Sequence, residues 1–329
     1  MNFLDKGPAN AGLFYFLEEV GVPLNSKRVA IIAKAESQEG IDAVPTGDAN
    51  AILVANPKIT PFESDKAERN VVRPYFGNAE SVVTGVRMKA EFEVELAGSG
   101  TRGTAPAWGV LLKGCGFVEA IDKDAVSYAP VSTGHESLTI YYNLDGVQHK
   151  LTGARGTVSF DLQNKALPRM KFVFTGVHGG IVDEVAPALK LTPFQTPMPF
   201  DAANVASLQV FGFSPAVQSL SIDIANEVKH RSLPGGAERV LITGRKPTAS
   251  LQIESTRIAE RDWFGLARRV MNSPLSLVHG KAKGNIIQLD ATVSIGNADY
   301  GDSDNISMTT LQLSLLPTNG DDEFRLTVR

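Results

Sequence analysis

Met88-Lys-Ala-Glu-Phe-Glu-Val-Glu95 alternates strictly between apolar and charged residues. Ala90, Phe92 and Val94 fall on one side of an extended chain, and Glu91, Glu93 and Glu95 fall on the other. A period of two predicts a strand with one dry face and one wet face. The same pattern returns in Pro247-Thr-Ala-Ser-Leu-Gln-Ile-Glu254, with Ala249, Leu251 and Ile253 as the apolar set and Ser250, Gln252 and Glu254 as the polar set. The lead-in returns as well: Ala79-Glu-Ser-Val82 and Thr84-Gly85 match Ala237-Glu-Arg-Val240 and Thr243-Gly244, offset by 158 and then 159 residues. Self-similarity at a long period is the mark of a duplicated unit.

A short amphipathic helix is expected after each of these strands. Trp108, Leu111, Leu112 and Cys115 are spaced i, i+3, i+4, i+7, and Trp263, Leu266, Ala267 and Val270 repeat that spacing. Each set predicts one apolar stripe that docks on a sheet, because so short a helix is marginal alone. Strand-like runs separated by Gly, Asn and Asp turns then resume in both halves, including a short Thr157-Val-Ser159 match to Thr292-Val-Ser294. The expected fold is therefore mainly β: two tandem antiparallel β-sandwich or small-barrel domains, each with one short flanking α-helix. The expected boundaries are an N-terminal extension over 1–27, a first domain over 28–180, a Pro-rich linker over 181–204 and a second domain over 205–329.

Composition excludes several classes. The chain has 329 residues, 43% of them hydrophobic, with a net charge of −4 and a pI of about 5.8, so no basic nucleic-acid footprint marks it as a whole. One cysteine excludes a disulfide framework. The five histidines lack zinc-site spacing, and Cys115, whose counterpart is Val270, reads as packing. No metal, cofactor or catalytic residue is expected. No apolar run is long enough to span a bilayer and no targeting segment is recognisable, so no membrane partner is expected.

One motif points the other way. Gly98-Ser-Gly-Thr-Arg-Gly103 fits G-x-G-x-x-G between a strand and a helix, the arrangement of a dinucleotide loop. Against an enzyme of that kind, the preceding strand is charged on one face, whereas the first strand of a doubly wound sheet is buried on both. The second copy also lacks the glycines. The stretch is expected to be a flexible loop. The polar segment 36–50 is expected to be mobile or ordered by a partner. Glu91, Glu93 and Glu95 invite a sharper reading, a face bordering a water-filled channel whose carboxylates keep phosphates from adhering, with Ser250, Gln252 and Glu254 at the matching positions.

Several strings carry a family resemblance: Ala43-Val-Pro-Thr-Gly-Asp-Ala-Asn-Ala-Ile-Leu-Val54, Val72-Arg-Pro-Tyr-Phe-Gly-Asn78, Glu93-Val-Glu-Leu-Ala-Gly-Ser-Gly100 with Gly103-Thr-Ala-Pro-Ala-Trp108, and the stretch from Ser137 to Gly153. Over residues 28–180, and more weakly beyond, the chain resembles the major tail tube proteins of long-tailed, non-contractile bacteriophages. The resemblance implies a β-sandwich or small barrel with a flanking helix. It also implies self-assembly into stacked rings, other tail proteins at the tube ends, and passage of genome DNA without specific binding. Assembly would take place in the host cytoplasm, and the product would be part of the virion. Most members with one copy form six-subunit rings, so the resemblance and the duplication together imply three-subunit rings with pseudo-sixfold symmetry; a ring of six chains is the alternative. A terminator or baseplate hub of related fold is the other reading within the tail.

Overall fold

The structure, a computed structural model, describes residues 23–329. Residues 1–22 of the expected N-terminal extension lie outside the described residues. The first half contains β1 (Val29–Ala35), β2 (Ala51–Ile52), β3 (Ala55–Glu68), β4 (Ser81–Glu95), α1 (Gly109–Gly114), β5 (Phe117–Ile121), β6 (Val126–Pro130), β7 (Leu138–Leu144), β8 (Val147–Gln163) and β9 (Arg169–Asp183). The second contains β10 (Val205–Val210), β11 (Val217–Asp223), β12 (Asn226–Arg231), β13 (Arg239–Arg245), β14 (Thr248–Glu254), α2 (Trp263–Arg269), β15 (Ser273–His279), β16 (Ile287–Ser303), β17 (Ile306–Leu315) and β18 (Phe324–Val328). The fold is mainly β and its strand ladders are antiparallel, as the alternating patterns require.

Eight strands run side by side in the order β3-β4-β9-β8-β11-β14-β17-β16. On the inward face of β4, Ala90, Phe92 and Val94 are buried, and Phe92, Phe172 and Phe174 pack with ring centroids 5.9–6.0 Å apart. Burying each such ring contributes about 1.5–3 kcal/mol. The long strands β8 and β16 serve two layers. One end of β8 pairs with β7, and the matching end of β16 pairs with β15 and β18. Their other ends belong to the eight-stranded sheet.

The ladders recur in the two halves. Ala90 and Phe92 pair with Phe174 and Phe172, which pair with Gly156 and Val158. Ala249 and Leu251 pair with Leu313 and Leu311, which pair with Ile295 and Ala298. On the other side Ala90 pairs with Ile59, and Ala249 with Ile222. These registers correct one sequence match. The counterpart of Val158 is Ala298, not Val293, so the Thr157-Val-Ser159 string and its twin at 292–294 are not equivalent. Short β-rich strings recur by composition, whereas register is set by the neighbouring strands.

The halves are not separate globules. β8 pairs with β11, β6 pairs with β18, and one hydrophobic cluster runs through both. The Pro-rich segment is an ordered strap: Leu189 and Leu191 pack against Ile32, Ala51 and Tyr141, and the Lys190 amide donates to the Gly47 carbonyl at 3.0 Å.

Candidate functional site

The polar face of the eight-stranded sheet carries the residues singled out from the sequence. Glu91, Glu93 and Glu95 lie together on the wet side of β4, half-buried. They are not an isolated acidic stripe. The ladders set Glu91 opposite Lys58 of β3, Glu93 opposite Lys171 of β9 and Glu95 opposite Arg169 of β9. Arg169 donates to Glu93 at 2.8 Å, and the Asn56 amide donates to the same carboxylate oxygen at 3.0 Å. Opposed charges across strands contribute about 0.2–1 kcal/mol each.

The second half makes the compensation plainer. Ser250 lies between Ser221 and Gln312, Gln252 lies between Ser219 and Thr310, and Glu254 lies opposite Met308. Ser221, Thr310 and Met308 stand at the places of Lys58, Lys171 and Arg169. Where the carboxylate is replaced by a neutral side chain, as at Ser250 and Gln252, the cation is replaced too. Glu254 alone keeps the acid without the base. The face is thus rich in hydroxyls and amides, with Arg169 paired to Glu93 and Lys58 and Lys171 set opposite carboxylates in the ladders.

The helix stripes divide. Trp108, Leu111, Leu112 and Cys115 are all buried, with Trp108 and Cys115 flanking α1 as its caps. The Trp108 indole donates to the Ala97 carbonyl at 2.8 Å. Burial pushes the Cys115 thiol well above its ordinary pKa, as suits a packing residue. In α2, Trp263 is buried against Phe213 and beneath Arg261, and Leu266 and Ala267 are half-buried against the core. Val270 corrects the expected stripe. It is the C-cap of α2 in the left-handed conformation, its φ is 48°, and its side chain points to solvent.

The glycine loop is also corrected: it is held, not flexible. The Gly98 amide donates to Asn285 Oδ1 at 2.6 Å, and the Gly100 amide donates to the Gly284 carbonyl at 3.0 Å. A Cβ on Gly98 would lie 2.1 Å from the Gly284 oxygen. Those glycines let two loops from opposite halves approach, and the Gly98 and Gly100 amides are engaged across that contact. The helix begins only at Gly109, six residues after Gly103, so the glycines do not open the helix directly as a dinucleotide loop does. Segment 36–50 is likewise ordered by its own sheet. The Glu36 carboxylate accepts from Ser137, Thr139, Gly40 and Gly153 at 2.6–2.8 Å, and Tyr141 donates to Asp42 at 2.6–2.7 Å. Sequence reading missed these links because their partners lie about a hundred residues away.

Two ends of the sheet remain open. Among the described residues, β3 pairs only with β4, and the end of β16 from Asn297 to Ser303 pairs only with β17. The register equivalences make β3 the counterpart of β11, and this end of β16 the counterpart of the end of β8 that meets β11.

A family model described as phage tail tube protein matches residues 26–315. No curated protein matches the chain. Among the described residues no helix is long and apolar enough to cross a membrane. With a family match over most of its length, and a mainly β antiparallel fold beneath it, the chain belongs to the phage tail tube protein family, structural components of the virion tail.

Proposed function

We propose that copies of this chain close into rings of three, that the rings stack into a hollow tube, and that the polar face of the eight-stranded sheet lines the channel through which genome DNA passes. The open ends of the sheet carry this reading. Each chain presents at one edge the counterpart of β11, and at the other the counterpart of the β8 end that β11 already joins. Edges of that kind invite pairing. A heterologous contact repeated about an axis closes a ring, and two units per chain give six around three chains. No bond is made or broken. The work of the protein is to enclose a path on which DNA does not stick, and a face of hydroxyls, amides and compensated charges offers phosphates few free cations. Other tail proteins would cap the two tube ends.

Electron microscopy of the purified chain, with mass measurement of the assemblies, tests this. Hollow tubes built from three-chain rings are expected. A ring that never polymerises selects a terminator or baseplate-hub role, and a chain that stays monomeric at high concentration overturns the reading.

A further inference from the structure

Inside the chain, the base of the hairpin arm β12–β13 is seated, while its outer end over 231–239 is exposed. The base lies across β8 and β9 of the first half and meets the C-terminal end of α1. The Asn226 amide group donates to the carbonyls of Cys115 and Gly156, at 2.7 and 3.0 Å, and the Asn226 backbone N–H donates to Thr157 Oγ1 at 3.0 Å. A Cβ on Gly116 would lie 3.2 Å from Ile242 Cδ1. Beside this seat, β11 pairs with β8: Asp223 with Ser159, Ser221 with Asp161 and Ile222 with Phe160.

Among the described residues, the equivalent arm of the first half, formed by the outer parts of β3 and β4, has no such seat. We propose that it sits on the α2–β16 face of a second copy, in the same register and with the same side chains covered. The inference rests on the ring reading and gives its contact residue by residue.

Three pairs of equivalent positions support it. Cys115 and Val270 are the C-caps of α1 and α2; Cys115 is 1% exposed and Val270 is 74% exposed. Val240 and Val82 hold the same place in their arms; Val240 is fully buried and Val82 is 54% exposed. Phe160 and Tyr300 hold the same place in the ladder; Phe160 is fully buried and Tyr300 is 65% exposed. Val82 and Tyr300 each match a residue buried at the internal junction, one on the arm and one on the ladder that would receive it, whereas Val270 also differs from Cys115 in backbone, with φ of 48° against −95°. Transferring the register pairs Ile59 with Tyr300, Thr60 with Asp299 and Lys58 with Gly301, which brings the Lys58 ammonium beside Asp299 on the polar face. Ser294 stands where Arg155 anchors the internal arm. The contact between copies therefore depends on apolar cover and the strand ladder, without a buried guanidinium.

Paired cysteines test the register. Directly opposed residues of an antiparallel ladder have Cα atoms about 4.5–5.5 Å apart, within disulfide reach. Cys115, the one native cysteine, is buried and does not compete. The full chain carrying Thr60→Cys and Asp299→Cys is expected to give covalent two- and three-chain species under oxidation. Each single variant should give none. Thr60→Cys with Ala298→Cys, slipped by one residue onto the opposite face, should also give none. Rings of normal mass without the first cross-link, or with equal cross-linking of the slipped pair, would overturn the seat and leave the ring reading standing. Absence of rings from every variant and from the unsubstituted chain would remove both.

A second measurement uses Val82→Asp and Val270→Asp. Both side chains are exposed in the single chain, so its melting should be unchanged. The concentration at which rings form should rise about tenfold or more, as expected when an unpaired carboxylate must be buried. Assembly at the original concentration would refute the seat.

Discussion

Arg155 shows how single residues bind the two halves. Buried at the junction, it donates to Glu39 at 2.9 Å, to the His135 carbonyl at 3.0 Å and to the Val240 carbonyl in β13. Arg245, at the other end of the same arm, donates to Asp321, Glu323 and the Val131 carbonyl. The hydrogen bond from Arg155 holds the Glu39 carboxyl below its ordinary pKa, and hydrogen bonds from Ser132 and then Arg245 do the same for Asp321. A depressed carboxylate pKa stabilises the fold above the unfolded value of about 4 and stops doing so as pH falls through the folded value. Stability is therefore expected to be flat above about pH 5 and to decline below about pH 4, where these two carboxylates take up protons. Denaturant titrations across that range check this. Glu39→Gln should lower stability at neutral pH and shrink the acid-induced loss; an unchanged acid profile would show that Glu39 contributes nothing to it.

At the scale of elements, β4 and β14 hold matching places in their ladders and differ in charge. Glu91, Glu93 and Glu95 face Lys58, Lys171 and Arg169, and the equivalent positions of the second half pair Ser250 and Gln252 with neutral neighbours. The carboxylates of β4 thus act on the cations beside them. Replacing all three glutamates by glutamine leaves the alternation and the buried face intact, breaks the Arg169–Glu93 pair and removes the carboxylates opposite Lys58 and Lys171. Tubes of the Glu91→Gln, Glu93→Gln, Glu95→Gln variant are expected to form and to retain duplex DNA that the original tubes release. That retention should weaken with salt, with a log–log slope of about −0.9 per phosphate contacted. Equal retention by both tubes across the salt range would show that this face does not meet the DNA.

At the scale of the whole molecule, the described residues form one connected β structure in which the ladders of the first half recur in the second. β11 covers the end of β8, β18 pairs with β6, and the strap over 187–204 crosses the outer layer. Leu162 and Phe160 are buried in the intact chain, next to Leu220 and Ile222 of the other half. Expressed separately, residues 23–186 and 187–329 should each lack a cooperative melting transition, and co-expressed they should copurify as a one-to-one pair. A first half that melts cooperatively alone would show that the units fold independently.

The amino-acid sequence by itself determined the strand faces, the repeated strand and the two helices. These depend on alternation and spacing within a few residues, which a linear reading contains. Only the tertiary structure decided whether a carboxylate was free or matched, why Gly98 had to be glycine, and why Val270 is exposed when Cys115 is not. The first two turn on the residue opposite, selected by contacts that join positions as distant as Glu93 and Lys171, or Gly98 and Asn285, and the third on the left-handed cap that ends α2.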